Sequence, residues 1–353
     1  MMNKFALSTL AIALSATSLM AQAEAPQFYG ALRASVTHAD TGFASNPGGG
    51  EGTQLENDFS MIGIRGSHAV SETLKVVYQA EVQVNGMDQD NGKDPFSSRN
   101  TFLGLQSDQL GRLIFGRHDQ AFMLAEGKVD QFNLTNTDMN RLLAGNNRHG
   151  DQVMYFSPNM AGFQFIGSYL LEDDYYKDGK APKDADPYSM TVSYGDKMMK
   201  NQPYFFAVAY NAGIGGDEAI RATGQYKIGK FKMGAVYQNT QDVEFDNLDG
   251  NGFIVDLAYG LTDKLSLKAR FGQDDSGNGG YIGKVMGSLD GLDKTTVDST
   301  KVTNYAVGAD YALSKQTKLF AHYSVFDAEV KTASATLYDD TDNLFTVGMH
   351  FKF

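Results

Sequence analysis

The sequence predicts an all-β protein, a 16-stranded antiparallel transmembrane β-barrel with short periplasmic turns and long external loops. Three observations predict the barrel itself. Segments of roughly ten residues alternate apolar and polar positions, the pattern of strands with one oily and one wet face. The connections between these segments alternate between short and long along the chain. Past residue 24, no stretch reaches the ~18 apolar residues of a membrane-spanning helix.

Composition narrows the class before any strand is placed. The 353 residues are 42% apolar and 12% aromatic, with 7 Pro, no Cys and a formal net charge of -12. That is too apolar for disorder and too poor in Pro for collagen, and a chain without Cys builds no disulfide scaffold or thiolate metal site. The acidic balance excludes nucleic acid as a partner, because phosphate neutralisation needs a dense Lys/Arg face. Residues 1–23 read as a signal peptide: Lys4 supplies the positive start, Phe5 to Leu14 the apolar run, and Ala21-Gln22-Ala23 the small-residue cleavage pattern. The mature barrel is then 24–353, exported by a Gram-negative-style route.

Strands are expected near 27–39, 56–66, 73–84, 98–107, 111–118, 151–157, 162–171, 187–195, 203–211, 218–228, 231–241, 250–260, 264–274, 301–312, 316–328 and 342–353. The last is the clearest: Phe345, Val347, Met349, Phe351 and Phe353 share one face, opposite Thr346, Gly348, His350 and Lys352. The first sets Leu32 and Val36 against Arg33, Ser35 and Thr37. Short turns fall near 67–72, 108–110, 158–161, 196–202, 229–230, 261–263 and 313–315. Long loops fall near 40–55, 85–97, 119–150, 172–186, 212–217, 242–249, 275–300 and 329–341. In an up-and-down meander every second connection lies at the same end, so one end carries tight turns and the other large loops, the asymmetry of an outer-membrane barrel. A soluble sandwich also alternates, but sixteen long strands in simple succession make an unusually large open sheet. Closure removes the unpaired edges that a bilayer cannot tolerate.

Several motifs resemble those of the Gram-negative general porins: Gln27-Phe28-Tyr29-Gly30, the Ser60 to Gly66 strand, Phe115-Gly116-Arg117 before a long third loop, Tyr155-Phe156-Ser157-Pro158-Asn159, and the terminal Phe353. The resemblance implies a homotrimer in the outer membrane, in contact with lipid and lipopolysaccharide, whose third loop folds inward to narrow the pore. It also implies that loop carboxylates face a basic wall. The matching wall positions are Arg33, Arg65, Arg117 and Arg148, with Lys75 as a weaker member, and the loop acids are Glu126, Asp130 and Asp138. A family position that is often basic, four before Arg65, is Met61 here. The terminal strand, Phe345 to Phe353, resembles the signal read by the outer-membrane assembly machinery.

A barrel of about sixteen strands is too wide for side chains to fill and leaves an aqueous channel. The expected function is passive, weakly charge-selective diffusion of small hydrophilic solutes and ions, with no cofactor. A substrate-specific porin for sugars or organic acids is the alternative in the same class; a surface adhesin, receptor or rim enzyme is the alternative from another. Asp88, Asp90 and Asp94 around Gly92 have oxygens at spacings a calcium ion could use, but no twelve-residue loop closes with Glu. Catalysis finds no support: the six His have no metal-ligand spacing, and no G-x-S-x-G elbow occurs.

Overall fold

A computed structural model describes residues 25–46, 50–87, 94–172 and 186–353. The expected leader 1–23 lies outside the described residues, as do Asp88 and Asp90.

Sixteen strands follow one another around the barrel: β1 (Gln27–Ala39), β2 (Gly52–Asn57 continued by Met61–Ala69), β3 (Lys75–Val84), β4 (Phe96–Ser98 continued by Thr101–Ser107), β5 (Gly111–Asp119), β6 (Arg148–Phe156), β7 (Phe163–Leu170), β8 (Tyr188–Gly195), β9 (Tyr204–Ala212), β10 (Asp217–Ile228), β11 (Phe231–Asp242), β12 (Asp249–Gly260), β13 (Leu265–Asp274), β14 (Val297–Ala312), β15 (Thr317–Thr332) and β16 (Thr336–Lys352). Each pairs antiparallel with its chain neighbours, and β16 closes on β1 from Ala31↔Lys352 to Ala39↔Leu344. Beyond that ladder Gly30 and Phe353 exchange two backbone hydrogen bonds of 3.0 Å. No edge remains, so every strand has partners on both sides.

The burial pattern is inside out relative to a soluble protein. Val307 and Val208 are 59% and 56% exposed, whereas Arg221 and Gln238 are fully buried. Along β1 the alternation expected from sequence holds, with Leu32 and Val36 outward and Arg33, Ser35 and Thr37 inward. Two strands are broken. In β4, Val82 opposes Ser98 but Gln79 opposes Phe102, so Arg99 and Asn100 bulge opposite Glu81. Such a bulge re-aims side chains, and here it brings Arg99 onto Glu81.

The expected loop at 329–341 is corrected. β15 and β16 run through it and join by a three-residue turn at 333–335, with Ala328↔Asp340 and Val330↔Tyr338 in the ladder before a register shift. The sequence there is polar because the hairpin projects beyond the oily band, not because the strands have ended. The third loop, 120–147, instead turns inward, opening with a short helix α1 (Ala121–Leu124). Another external loop carries a helix α2 (Gly280–Ser288), whose Tyr281, Ile282, Val285 and Met286 are buried against Met139, Leu142 and Leu143 of the third loop. A Cβ at Gly279 would run into the Leu142 carbonyl, so the close approach of these loops requires glycine.

The terminal Phe353 ring lies over Gly30. Deleting Phe353 removes that ring and both hydrogen bonds at the seam; the expected outcome is a clear drop in heat-modifiable, folded protein on cold gels, with export unchanged.

Candidate pore constriction

The inward side chains of β10–β16 are polar yet mostly buried, because the third loop lies against them. Its path is fixed one contact at a time. Ala121 N donates to Ser168 Oγ (2.8 Å), Lys128 N to Gln225 Oε1 (3.0 Å) and Gln131 N to Asp256 Oδ2 (2.7 Å). Farther along, Asn136 donates to Thr37 and Thr346 (both 2.9 Å), and its Oδ1 lies 2.8 Å from His322 Nε2. On the return, Arg221 donates to Asn146 Oδ1 (2.8 Å) and the Ala144 carbonyl (3.0 Å). The loop thus covers the wall from β7 round to β1.

Its central pin is Arg270 on β13. The guanidinium takes Asp256 on one side (Nε–Oδ1 2.7 Å) and Asp130 of the loop on the other (2.5 Å), and also donates to the Thr137 carbonyl. Arg270 and Asp130 side chains are 1% and 2% exposed. Asp130 further accepts from Phe132 N (2.7 Å) and Met139 N (2.8 Å), which folds the loop onto itself. Removing one partner of a buried ion network leaves an uncompensated charge and costs ~3–5 kcal/mol.

Open lumen remains against β1–β6, where Gln79, Gln83, Arg65 and Arg99 keep partial exposure. Arginines dominate this wall. Arg33 donates to the Phe59 carbonyl (2.5 Å), and Arg65 lies over the Tyr29 ring at 4.8 Å while donating to Gln27 (3.0 Å). Arg99 pairs with Glu81 at 2.6 Å, and Tyr29 Oη donates to the other Glu81 oxygen (2.9 Å). Arg148 pairs with Asp119 at 2.7 Å and donates to Asn100 (2.6 Å). Of the four arginines two are ion-paired, Arg99 with Glu81 and Arg148 with Asp119, while Arg65 is held by Gln27 and the Tyr29 ring.

Comparison with known proteins agrees with this architecture. The Gram-negative porin family matches residues 8–331. The chain belongs to the Gram-negative porin family. An outer membrane porin protein of Bordetella pertussis is 27% identical over 303 residues, covering 74% of this chain and 75% of the relative. The fold is similar to that of an anion-selective porin from Comamonas acidovorans, with a TM-score of 0.68 at 17% identity, covering 93% of this chain and 99% of the other. It is also similar to in-vitro folded OmpT of Vibrio cholerae in its trimer form, with a TM-score of 0.66 at 17% identity, covering 93% and 99%. This porin is an outer-membrane channel for passive diffusion of small solutes.

Of the wall residues expected from sequence, Arg65 and Arg148 lie along the open side, whereas Arg33 points inward from β1 but is only 3% exposed. Lys75 is lower, opposite Ala69 and Gln106 beside a short turn. Arg117 is elsewhere: it pairs with Thr101 on the side of β5 that carries Leu113 and Phe115, facing outward. The alternation that puts Ile114 and Gly116 inward requires this. Among the loop acids, Asp130 is consumed by Arg270, and Asp138 caps a turn, accepting from Leu134 N (2.8 Å) and Asn140 N (3.1 Å). Glu126 is partly exposed and accepts from Asn146 (3.0 Å). Burial first, then the nearby Asp138 and Asp130, push its carboxyl up to about 8. Burial and Asp130 also raise Asp138. Asp94 is exposed at the approach to β4, and among the described residues no three His, Asp or Glu are grouped to hold a metal.

Arg99, Arg270 and Asp256 were not singled out from sequence. The tight turn after β12 sets Asp256 directly across from Arg270, so hairpin register was the usable signal for that pair. Arg99 depends on a bulge, which alternation does not reveal.

Arg270→Met should free the third loop from β13. We expect a Tm several degrees lower than wild type and single-channel current with visibly larger open-state noise; a quiet trace at unchanged Tm would remove Arg270 as the pin.

Proposed function

We propose that this porin has a mild preference for anions, set by the β1–β6 wall. The observation that carries the reading is an imbalance: the loop acids are largely spent on anchoring or neutralised by burial, whereas on the wall Arg99 and Arg148 each take one carboxylate and Arg65 is held by Gln27 and the Tyr29 ring. Lys128, exposed on the third loop, adds to the positive side. Unit charges ~10 Å apart in water interact by only ~0.4 kcal/mol, so the preference is weak. A Debye length of ~8 Å in physiological salt makes it fade as salt rises. An aromatic track for a specific sugar receives no support from Phe122, Phe132 and Phe326, which are buried. No catalytic role is assigned.

The working unit we propose is a homotrimer, joined through β1–β5. Among the described residues, every exposed tyrosine of the outer surface lies on β6–β15, including Tyr169, Tyr188, Tyr210 and Tyr237 at one rim and Tyr194, Tyr226, Tyr259 and Tyr311 at the other. Such girdles sit at lipid interfaces. Over β1–β5 the outer face is mainly aliphatic, with Leu32, Val36, Ile62, Leu103 and Leu113, and it carries Arg117, whose Nε has no hydrogen-bond partner. An outward arginine in lipid costs up to ~2–4 kcal/mol depending on depth, so a second copy is the fitting cover. Export of the chain by cleavage after Ala23, contact with lipopolysaccharide, and recognition of the terminal strand by the assembly machinery belong to the same proposal.

The zero-current potential under a KCl gradient tests the preference. It should show a modest excess of chloride permeability, and Arg99→Ala should move it toward potassium; a cation-preferring wild type would overturn the reading. Raising the pH from 6 to 9 takes Glu126 through its pKa of about 8 and adds negative charge to the constriction. Chloride preference should therefore fall over that interval. Arg117→Leu should leave the potential unchanged while altering the fraction of trimer on native gels.

A further inference from the structure

We propose that the periplasmic mouth is a binding vestibule for small polyvalent anions, and that it is reached from one side only. The short turns mark this end of the barrel. Beneath the third loop they frame a cavity of about 500 Å³ lined by Arg33, Lys128, Lys264, Lys315, Lys318 and Lys352, with His350 at its wall. The acids there are Asp263 and Asp310, and Asp310 is already held between Lys268 (2.9 Å) and Lys318 (3.0 Å). A neighbouring cavity of about 360 Å³ shares Asp263, Ser266 and Asp310 and adds Lys227, Lys230 and Lys232. Positive charge is therefore gathered on the side of this opening framed by the turns at 229–230, 261–263 and 313–315, while Glu72, Asp108 and Asp196 stand at other turns of the same end.

The opposite rim has the reverse character. Asp246, Asp249, Asp275, Asp290 and Asp293 are exposed at the ends and in the loops on the external side. With a chain charge of -12 overall, the concentration of lysine at the periplasmic end is a polarity along the pore axis, distinct from the charge rows across the constriction.

Attraction scales with ion valence. Chloride gains little from ammonium groups screened over ~8 Å, whereas a tri- or tetravalent anion engages several at once. Several Lys side chains on different strands and turns supply rotatable point-charge donors without fixed geometry. The ligand class is thus set by charge density: compact phosphate chains or polycarboxylates. An anion arriving from the periplasm meets the vestibule first. One arriving from outside must cross the acidic rim and the constriction.

This inference rests on the open channel but not on the anion preference of the constriction. Its test uses the full-length mature protein in planar bilayers, with inorganic tripolyphosphate as the probe. The chain has no Cys, so Ser334→Cys in the external β15–β16 turn can carry a biotin, and streptavidin then reports which chamber faces outside. Tripolyphosphate added on the periplasmic side should reduce KCl current at a concentration at least ~10-fold lower than when added outside. Combining Lys264→Gln, Lys315→Gln and Lys352→Gln should raise the blocking concentration at least ~5-fold, with KCl conductance steps showing that the variant is folded. Should the triple variant fail to insert, Lys264→Gln with Lys315→Gln, both in turn positions, is expected to shift the block in the same direction. Equal block from the two sides, or block indifferent to these substitutions, would overturn the vestibule. The zero-current potential separates the two ideas: a cation-preferring channel with sided block would sink the constriction reading and leave this one standing.

Discussion

The whole molecule depends on closure of the hydrogen-bond ladder where β16 meets β1. A bilayer offers no partner for a free N–H or C=O, so a sheet that spans it has to end where it began. Once the ring of sixteen is closed, the outward face can be apolar against lipid while the inward face stays polar around water. The exposure of Val307 and the burial of Arg221 follow from that single constraint. So does the inward course of the third loop, since its backbone finds donors and acceptors only along the polar inner wall, at Ser168, Gln225 and Asp256.

The third loop shows how a channel can be narrowed without being plugged. Its carboxylates make the contacts that hold it: Asp130 grips Arg270, and Asp138 caps its own turn. An acid that anchors is not free to face the solute. The consequence for selectivity comes from this division of labour, because the arginines on the opposite wall are held by the Phe59 carbonyl, the Gln27 and Asn100 amides, Glu81 and Asp119. The external helix α2 completes the arrangement from above. Its Tyr281 stacks on Phe326, with centroids 4.8 Å apart and planes 7° from parallel, and Lys284 donates to the Ser45 carbonyl at 2.9 Å. Together these contacts fill the outer lumen over β11–β16 and leave the solute route against β1–β6.

The barrel was legible in the sequence because alternation at period two is a direct imprint of two solvents on a strand. β1, β5 and β13 fall within a residue of where that period puts them. The β15–β16 hairpin was not legible, since beyond the membrane the two faces exchange character: Asp327 and Glu329 turn away from the core while Ala328 and Val330 are buried in the cluster with α2, and the ladder continues. The constriction was half legible. Arg33 and Arg65 follow from inward alternation, but Arg117 sits one residue out of phase with Ile114 and Gly116 and so points the other way. Whether Asp130 faces water or an arginine on a strand 140 residues later is a tertiary fact with no local signature. The docking of α2 was equally hidden, because its apolar positions read as loop residues until Leu142 and Leu143 supply the surface they cover.

The central claim is a continuous, water-filled bore beside an anchored loop. It is tested most directly by single-channel conductance of the purified protein across KCl concentrations from about 0.1 to 3 M. A water-filled bore requires ohmic steps that rise nearly in proportion to bulk conductivity at the high end of that range. Absence of steps in correctly folded protein, or conductance that saturates at low salt as a single-ion site would, contradicts it.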